Sequence, residues 1–449
     1  MSGQNDKRLR LTIYVLLVVY VLNFLDRQIV GILAEPISRE LGLSDTQIGL
    51  MTGIAFALFY TGLGIPIARF CDRPTTSRVK VIAVCLAIWS AMTALCGSAQ
   101  NFAQLFLARI GVGIGEAGGT PPAHSLIAEM AAPEKRASAL SFYQLGPPIG
   151  GLIGMVLGGY LADSIGWRWA FVVVGAPGVL LALVVVIVLR DPRQDGITPL
   201  PLAGGGGGGP VNGPQPTSPP PTPPASGRGG FLQDFREAFQ TIWEARANRL
   251  IMLSVAFAAT ANYGMLIWGP IYLQRTFGLS AGQTGLWFGL ANGIGSALGV
   301  WYGGQLGDRL LRYGKQHLMT GPAIAIAISC PLLVAGLMAS DWRLAIALFF
   351  PAIALLWLHV GPAYSAVQGL VPPSSRATAS AAILLMQNLF GLGIGSYAIG
   401  ALSDHYKGEY GADSVRVVLV VLIGVVTLLA AALQWRSRKY LPAELDRFT

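Results

Sequence analysis

Long apolar runs separated by short charged punctuation fill most of the chain. Runs of about twenty residues or more, each enough to cross a ~30 Å hydrocarbon core, fall at 12–33, 46–68, 79–98, 103–131, 137–162, 168–189, 250–274, 282–306, 317–338, 343–370, 377–402 and 415–435. None alternates strictly, so each predicts a helix and not a barrel strand. The pattern therefore predicts an all-α membrane protein of twelve transmembrane helices in two six-helix bundles. The break between them is of a different kind. Gly204 to Gly209 and the run from Pro214 to Pro224 cannot pack a core and predict an extended or disordered tether. Phe231, Phe235, Phe239 and Ile242 share one helical face and predict a short interfacial helix over 231–249. The expected division is a first bundle over 1–190, a cytoplasmic linker over 191–248 and a second bundle over 249–449.

The punctuation repeats. Pro133-Glu-Lys-Arg136-Ala137-Ser-Ala139 recurs as Pro373-Ser-Ser-Arg376-Ala377-Thr-Ala379. Asp72-Arg73 matches Asp308-Arg309, and Gly159-Tyr-Leu-Ala-Asp163 matches Gly400-Ala-Leu-Ser-Asp404. A chain that repeats once in this way is two copies of one membrane unit, the sequence mark of secondary transporters with a site between the halves.

Composition agrees: 53% of residues are hydrophobic and only 12% charged, against about 25% charged in a soluble domain. The net charge of +9 reads as topology. Lys7, Arg8, Arg10, Arg73, Arg78, Lys80, Arg136, Arg190, Arg193, Arg309, Arg312, Lys315, Arg376, Arg436, Arg438 and Lys439 fall on one face. Only Arg39, Arg168, Arg275, Arg343, Lys407 and Arg416 fall on the other. That imbalance predicts both termini in the cytoplasm. Basic residues scattered over short loops do not form a nucleic-acid stripe. Lys7 to Arg10 before a long apolar run predict a retained first helix and not a cleaved signal. Cys71, Cys85, Cys96 and Cys330 have no metal spacing and are expected to be small apolar fillers.

Four ionisable side chains fall within the apolar runs: Asp26, Arg27, Arg109 and Glu116. Each costs roughly 2.5–3.5 kcal/mol at a helix centre on insertion scales, so each marks a pathway. At ~1.5 Å per residue, Asp26, Arg27 and Arg109 share one depth while Glu116 lies about two turns deeper. Asp26 is expected to pair with Arg109, leaving Arg27 for an anionic substrate. Glu116 is expected to be the main proton-responsive group, with Asp26 next. A carboxylate shielded from water holds its proton more firmly and a nearby arginine loosens it, so alternating access could load and release a proton. The second half supplies Asn262, Tyr263, Trp268, His359, Tyr364, Gln387 and Asn388. With Asn23 and His124 these complete the substrate candidates, although a lone helical histidine more often only packs. Charge in one bundle and an apolar, aromatic surface in the other suit an amphipathic organic anion or a lysolipid.

Gly304-Gln-Leu-Gly-Asp308-Arg309 resembles the loop signature of the major facilitator superfamily. The first copy, Ala68-Arg-Phe-Cys-Asp72-Arg73, keeps the Asp-Arg pair but lacks the leading glycine. Asn23-Phe-Leu-Asp26-Arg27 and Arg109-Ile-Gly-Val-Gly-Ile-Gly-Glu116-Ala117 are similar to the Spinster branch, which includes lysolipid and sphingosine-phosphate transporters and many bacterial members. The resemblance implies a monomeric secondary active transporter of a bacterial cytoplasmic membrane. It would be driven by the proton gradient with no cofactor, and lipid would be its only standing partner. Gly146-Pro147-Pro-Ile-Gly150-Gly151 resembles a signature of proton-driven drug antiporters, although Phe142 replaces the leading glycine. The alternatives are thus a drug:proton antiporter and a small carboxylate:proton symporter. In a repeated architecture Asp72 should face the helix start at Arg376, and Asp308 that at Arg136, closing the cytoplasmic side in the outward-open state. Arg73 and Arg309 flank these contacts, and Glu129, seven residues before Arg136, should join them. A membrane enzyme would need a nucleophile-base or metal cluster, and no histidine has a partner at such spacing.

Overall fold

The computed structural model describes residues 2–73, 75–194, 243–371 and 376–446, which are helical apart from short connections. In the first half these are α1 (Ser2–Leu41), α2 (Asp45–Gly49), α3 (Ala55–Asp72), α4 (Arg78–Cys96), α5 (Phe102–Glu116), α6 (Thr120–Met130), α7 (Pro133–Tyr143) and α8 (Gly146–Val188). In the second they are α9 (Arg246–Phe277), α10 (Ala281–Leu311), α11 (His317–Leu337), α12 (Trp342–Trp357), α13 (Val360–Gly369), α14 (Arg376–Met386), α15 (Ser396–Tyr410), α16 (Ser414–Ser437) and α17 (Leu441–Leu445). The Gly/Pro tether and the interfacial helix expected from Phe231, Phe235, Phe239 and Ile242 lie outside the described residues.

Among the described residues, eight helical stretches are long and apolar enough to cross a membrane. Two of them, Ser138–Val188 with 51 residues and Ala379–Ser437 with 59, are far longer than the ~20 that one crossing takes. Each turns back at a glycine of positive φ, Gly166 at 83° and Gly411 at 56°, a conformation an L side chain adopts only with strain.

Two apolar runs are interrupted by π-turns, at places that do not match in the repeat. Leu50–Ile54, in the second run of the first half, joins α2 to α3, and Gln387–Gly395, in the fifth run of the second half, joins α14 to α15. The fourth apolar run of each half is broken too, at Ala117–Gly119 between α5 and α6 and at Leu358–His359 between α12 and α13. Breaks of this type within membrane helices are tolerated where neighbours or a cavity satisfy the freed backbone, and π-turns concentrate at functional sites.

Glycine spacing fixes how α8 meets α1. A Cβ at Gly146 would strike Tyr20, and one at Gly154 would come within 2.9 Å of the Leu25 carbonyl oxygen; Gly150 and Gly158 face Val21 and Ile29 in the same row. Gly146, Gly150, Gly154 and Gly158 thus form a stripe of one glycine per turn that lets two helices touch backbone to backbone. The stripe contains two of the glycines of the antiporter-like signature, and close packing accounts for them.

A charged knot ties the end of the first half where the chain leaves it. Arg78, fully buried at the start of α4, bonds Asp191 at 2.5 Å and Glu129 at 2.7 Å, and Arg193 reaches Glu129 at 3.0 Å. Burial pushes the Asp191 carboxyl up, but the Arg78 hydrogen bonds and charge outweigh it and hold the group below its usual range. Glu129 was expected to act with Arg136; it holds Arg78 and Arg193 instead. The heptad spacing fails because Ala131 and Ala132 are extended, with ψ of 132° and 146°, so α6 and α7 do not share a face. The four cysteines are buried and form no disulfide.

The close α1–α8 contact makes one substitution act with opposite sign at two glycines. Gly154→Ala places its Cβ against backbone and should lower the unfolding midpoint in detergent, as overpacking typically costs ~1–3 kcal/mol. Gly424→Ala meets only Val334 Cγ2 at 3.6 Å and should raise the midpoint through helix propensity, worth ~1 kcal/mol at most. Equal shifts in both would refute the backbone contact.

Candidate functional site

Glu116 is the last residue of α5, immediately before the turn Ala117–Gly119. Gly115 and Gly118 press the backbone there onto α4, at Trp89 and Cys85. The carboxylate reaches α1, where Glu116 Oε2 accepts a hydrogen bond from Arg27 Nε at 2.6 Å. The Arg27 guanidinium also lies over three rings, Phe24 at 4.9 Å, Phe56 at 4.5 Å and Tyr60 at 4.5 Å. Each such cation–π contact is worth ~0.5–2 kcal/mol, more as water is excluded. One charge thus has a carboxylate and an aromatic cradle.

The other pair is not bonded. Arg109 is 2% exposed, its Nε and Nη1 have no hydrogen-bond partner among the described residues, and it lies 6.0 Å above the Phe56 ring. Asp26 Oδ2 accepts from Thr93 Oγ1 at 3.2 Å, while its Oδ1 has no partner, nor do Glu116 Oε1 and Asn23 Oδ1. Buried polar atoms are normally satisfied, so this cluster of open donors and acceptors is a candidate polar site.

A small cavity lies beside it, between the halves. Arg27, Arg109, Gln28, Phe56 and Thr52 face it from the first half, and Tyr263, Leu266, Ile267 and Leu392 from the second. The wall is cationic on one side and largely apolar on the other.

This geometry corrects the expected pairing. Arg27, not Arg109, is in the ion pair, and its partner is Glu116, not Asp26. The depth estimate counted Cα rise alone, whereas the arginine side chain spans more than a helical turn. Both arginines nevertheless line the cavity, as does Tyr263. Asn23 sits next to Glu116. Other substrate candidates pack within their own half. Trp268 is fully buried and donates to Ser396 at 3.2 Å. His359 is 1% exposed with Nδ1 2.6 Å from the Leu356 carbonyl oxygen. His124 contacts Gln144 at 3.4 Å and the edge of Tyr143. Tyr364 donates to Gln387 at 3.1 Å; Asn262 is buried and Asn388 half-buried.

At the end where the termini lie, Asp308 and Arg309 are exposed, as is Arg73, and Arg136 makes no ion pair with Asp308 among the described residues. The side chains of Asp72 and Arg376 lie outside the described residues. The polar contacts between halves gather at the opposite end. Arg275 of α9 bonds Glu35 at 2.6 Å and Asp45 at 3.0 Å. Asp404 accepts from Thr46 N at 2.7 Å, Thr46 Oγ1 at 2.6 Å and Asp45 N at 3.1 Å. Asp163 accepts from Ser280 Oγ at 2.6 Å and Gly282 N at 2.9 Å. Sequence reading missed these residues as a set, although Asp163 and Asp404 stood at matching places in the repeat.

Comparison with known proteins agrees with this architecture. The family model of the Major Facilitator Superfamily matches residues 16–396. The chain belongs to that superfamily. It is therefore a membrane transporter and not an enzyme. It is 33% identical over 94% of its length, and 90% of the relative's, to an MFS-type efflux pump of Mycolicibacterium smegmatis. It is 26% identical to the human protein spinster homolog 1 over 91% of this chain and 76% of that one. Among solved structures it superposes with a TM-score of 0.82 and 29% identity, covering 97% and 98% of the two chains, on a bacterial homologue of the human lysosomal transporter Spinster. That structure is in an inward-facing, unoccupied conformation. The resemblance to the Spinster branch thus holds along the whole fold.

The ion pair makes a stability prediction that needs no substrate. Glu116→Ala strands the Arg27 guanidinium in the interior, and breaking one side of a buried pair typically costs ~3–5 kcal/mol. Replacing both partners, Arg27→Leu with Glu116→Leu, should recover most of that loss. Thermal unfolding of the purified variants checks this, and a double variant as unstable as the sum of the singles would contradict the pairing.

Proposed function

We propose that the protein is a proton-linked carrier that moves an amphipathic organic anion, of the lysolipid class, by alternating access. In this reading the two long helical stretches each make a pair of crossings. The helices then make twelve crossings, a bundle over 1–190 and another over 249–449, with the linker and both termini in the cytoplasm of a bacterial inner membrane. The excess of basic residues at the terminal end supports that orientation. The end closed by Asp163, Arg275 and Asp404 then faces outwards, and the structure is inward-facing. The carrier acts as a monomer with lipid as its surroundings and needs no cofactor beyond the proton gradient.

One observation carries the reading: Arg27 faces the cavity between the halves while its only carboxylate partner among the described residues is Glu116. A proton arriving at Glu116 weakens the ion pair, and the cradle of Phe24, Phe56 and Tyr60 keeps Arg27 at the cavity wall. An anionic head group can then take the place of the carboxylate, with Arg109, which has open donors, completing its seat. The apolar wall of Leu266, Ile267 and Leu392 suits an acyl or alkyl body. Loss of the proton restores the Arg27–Glu116 pair and expels the anion. Asp26, held by Thr93, is the second proton-exchanging candidate. Asp72 with Arg376, and Asp308 with Arg136, remain the contacts that would close the cytoplasmic side in the opposite state. The 33% identity to an efflux pump favours a second reading, export of hydrophobic drugs in exchange for protons.

Reconstituted vesicles separate the readings. Uptake of labelled lysophosphatidylglycerol, with and without a pH gradient, is measured against competition by short carboxylates and by cationic dyes. Lysolipid accumulation that the gradient drives and carboxylates fail to block is expected. Glu116→Gln should abolish accumulation while sparing exchange, and Arg27→Ala should weaken anionic probes far more than neutral analogues. Dye transport with no lysolipid uptake would establish the antiporter reading instead.

A further inference from the structure

The repeated segment Gly159-Tyr-Leu-Ala-Asp163 and Gly400-Ala-Leu-Ser-Asp404 has a geometry that explains its spacing. In each copy the glycine lies against the start of a helix in the other half. A Cβ on Gly400 would come within 2.7 Å of the Asp45 carbonyl carbon, and one on Gly159 within 2.9 Å of that of Ala281. Four residues, about one turn, later the aspartate is on the same helix face and reaches the free backbone N–H groups of that same helix start. Asp404 accepts from Asp45 N, Thr46 N and Thr46 Oγ1. Asp163 accepts from Gly282 N and Ser280 Oγ. The glycine permits the approach and the carboxylate caps what approaches, where the helix dipole favours negative charge.

We propose that these two Gly-x-x-x-Asp segments form a two-part outer clasp that holds the outer side of the transporter shut. It rests on the alternating-access reading above, and gives the sequence repeat a second set of latches opposite the cytoplasmic Asp72 and Asp308. The two parts are unequal. The Asp404 part is the deeper: Asp45 beside it is fully buried, accepts from Ser403 Oγ at 2.7 Å and is neutralised by Arg275, which also holds Glu35. Arg39 in turn lies 2.9 Å from Glu35. The Asp163 part is solvent-facing and has fewer donors. Opening outwards must break both, and the Asp404 part resists more.

The test reads gate position without any substrate. Leu266, on the cavity wall, is changed to cysteine in a chain whose Cys71, Cys85, Cys96 and Cys330 are serine. A membrane-impermeant maleimide is then added from either side of oriented vesicles. Asp404→Asn should raise the outer labelling rate about fivefold, the size expected for loss of one acceptor oxygen and of the negative charge at a helix start, and lower the cytoplasmic rate. Asp163→Asn should raise the outer rate by a smaller factor, and the double variant by about the product of the two. Thr46→Val, which removes a single donor to Asp404 and leaves the carboxylate in place, should raise it about twofold. This milder change keeps the test decisive where Asp404→Asn does not yield folded protein. Outer labelling that stays at the wild-type rate in the folded clasp variants, with cytoplasmic labelling intact, would overturn the clasp. Failure of lysolipid uptake with labelling that still shifts would overturn the cargo and leave the clasp standing.

Discussion

The buried pair between Arg27 and Glu116 is the constraint around which the site is built. Bringing either charge out of water alone costs several kcal/mol, and pairing with good geometry is what makes that burial tolerable. The 2.6 Å contact fixes how closely α5 and α1 approach at this level. It also requires the small residues Gly115 and Gly118, which let the α5–α6 break sit on α4. The aromatic cradle has a different role. A carboxylate can be protonated and a ring cannot, so Phe24, Phe56 and Tyr60 hold the guanidinium at the same place in either protonation state. Phe56 lies under Arg109 as well, so one ring borders both cations and keeps them directed at one cavity.

A second rule recurs at the periphery: a carboxylate seated on the start of a helix. Asp191 accepts from Arg78 N at the start of α4, and Glu444 from Arg246 N and Ala247 N at the start of α9. Both lie within one half and at matching ends, so each half closes its own terminal edge in the same way. Asp163 and Asp404 use the same chemistry between halves. Arg78 of the first type is fully buried, whereas the Asp163 contacts of the second type are solvent-facing; in the proposed cycle only the second type would have to break.

Apolar spacing, the glycine and proline break and the repeated punctuation were enough to read an all-helical, duplicated transporter, because lipid leaves few ways to satisfy a backbone. What the spacing could not carry was any interruption inside an apolar run. The run 103–131 looks continuous, yet it breaks at Ala117–Gly119, directly after Glu116. Pairing was misread for the same reason: Cα depth is legible from helix rise, whereas side-chain reach and helix bends are not. Asp26, Arg27, Arg109 and Glu116 were all legible as a cluster, since charge in lipid is rare and expensive. The outer contacts were visible only as a repeat, because their partners, the starts of α2 and α10, are ordinary capping sequences that carry no sign of what docks on them.

The two sites are mechanically joined by a single element. The helical run from Asp45 to Asp72 starts under Asp404, passes Thr52, whose hydroxyl lies 3.1 Å from that of Ser396, and reaches Phe56 and Tyr60 beneath Arg27. Between the outer contact and the cradle lies the π-turn Leu50–Ile54, and facing it across the interface is the π-turn Gln387–Gly395. Gly53 abuts Gly393 and Ser396 there, at 3.0 and 3.1 Å for an added Cβ. A packed helix transmits tilt because its interior does not compress, while a π-turn is a place where its register can be taken up or let out. In the proposed cycle, movement of the cradle when Arg27 changes partner would be delivered to the helix start that Asp404 holds. The ion pair in the bundle core and the hydrogen bonds at its edge would then be two ends of one lever.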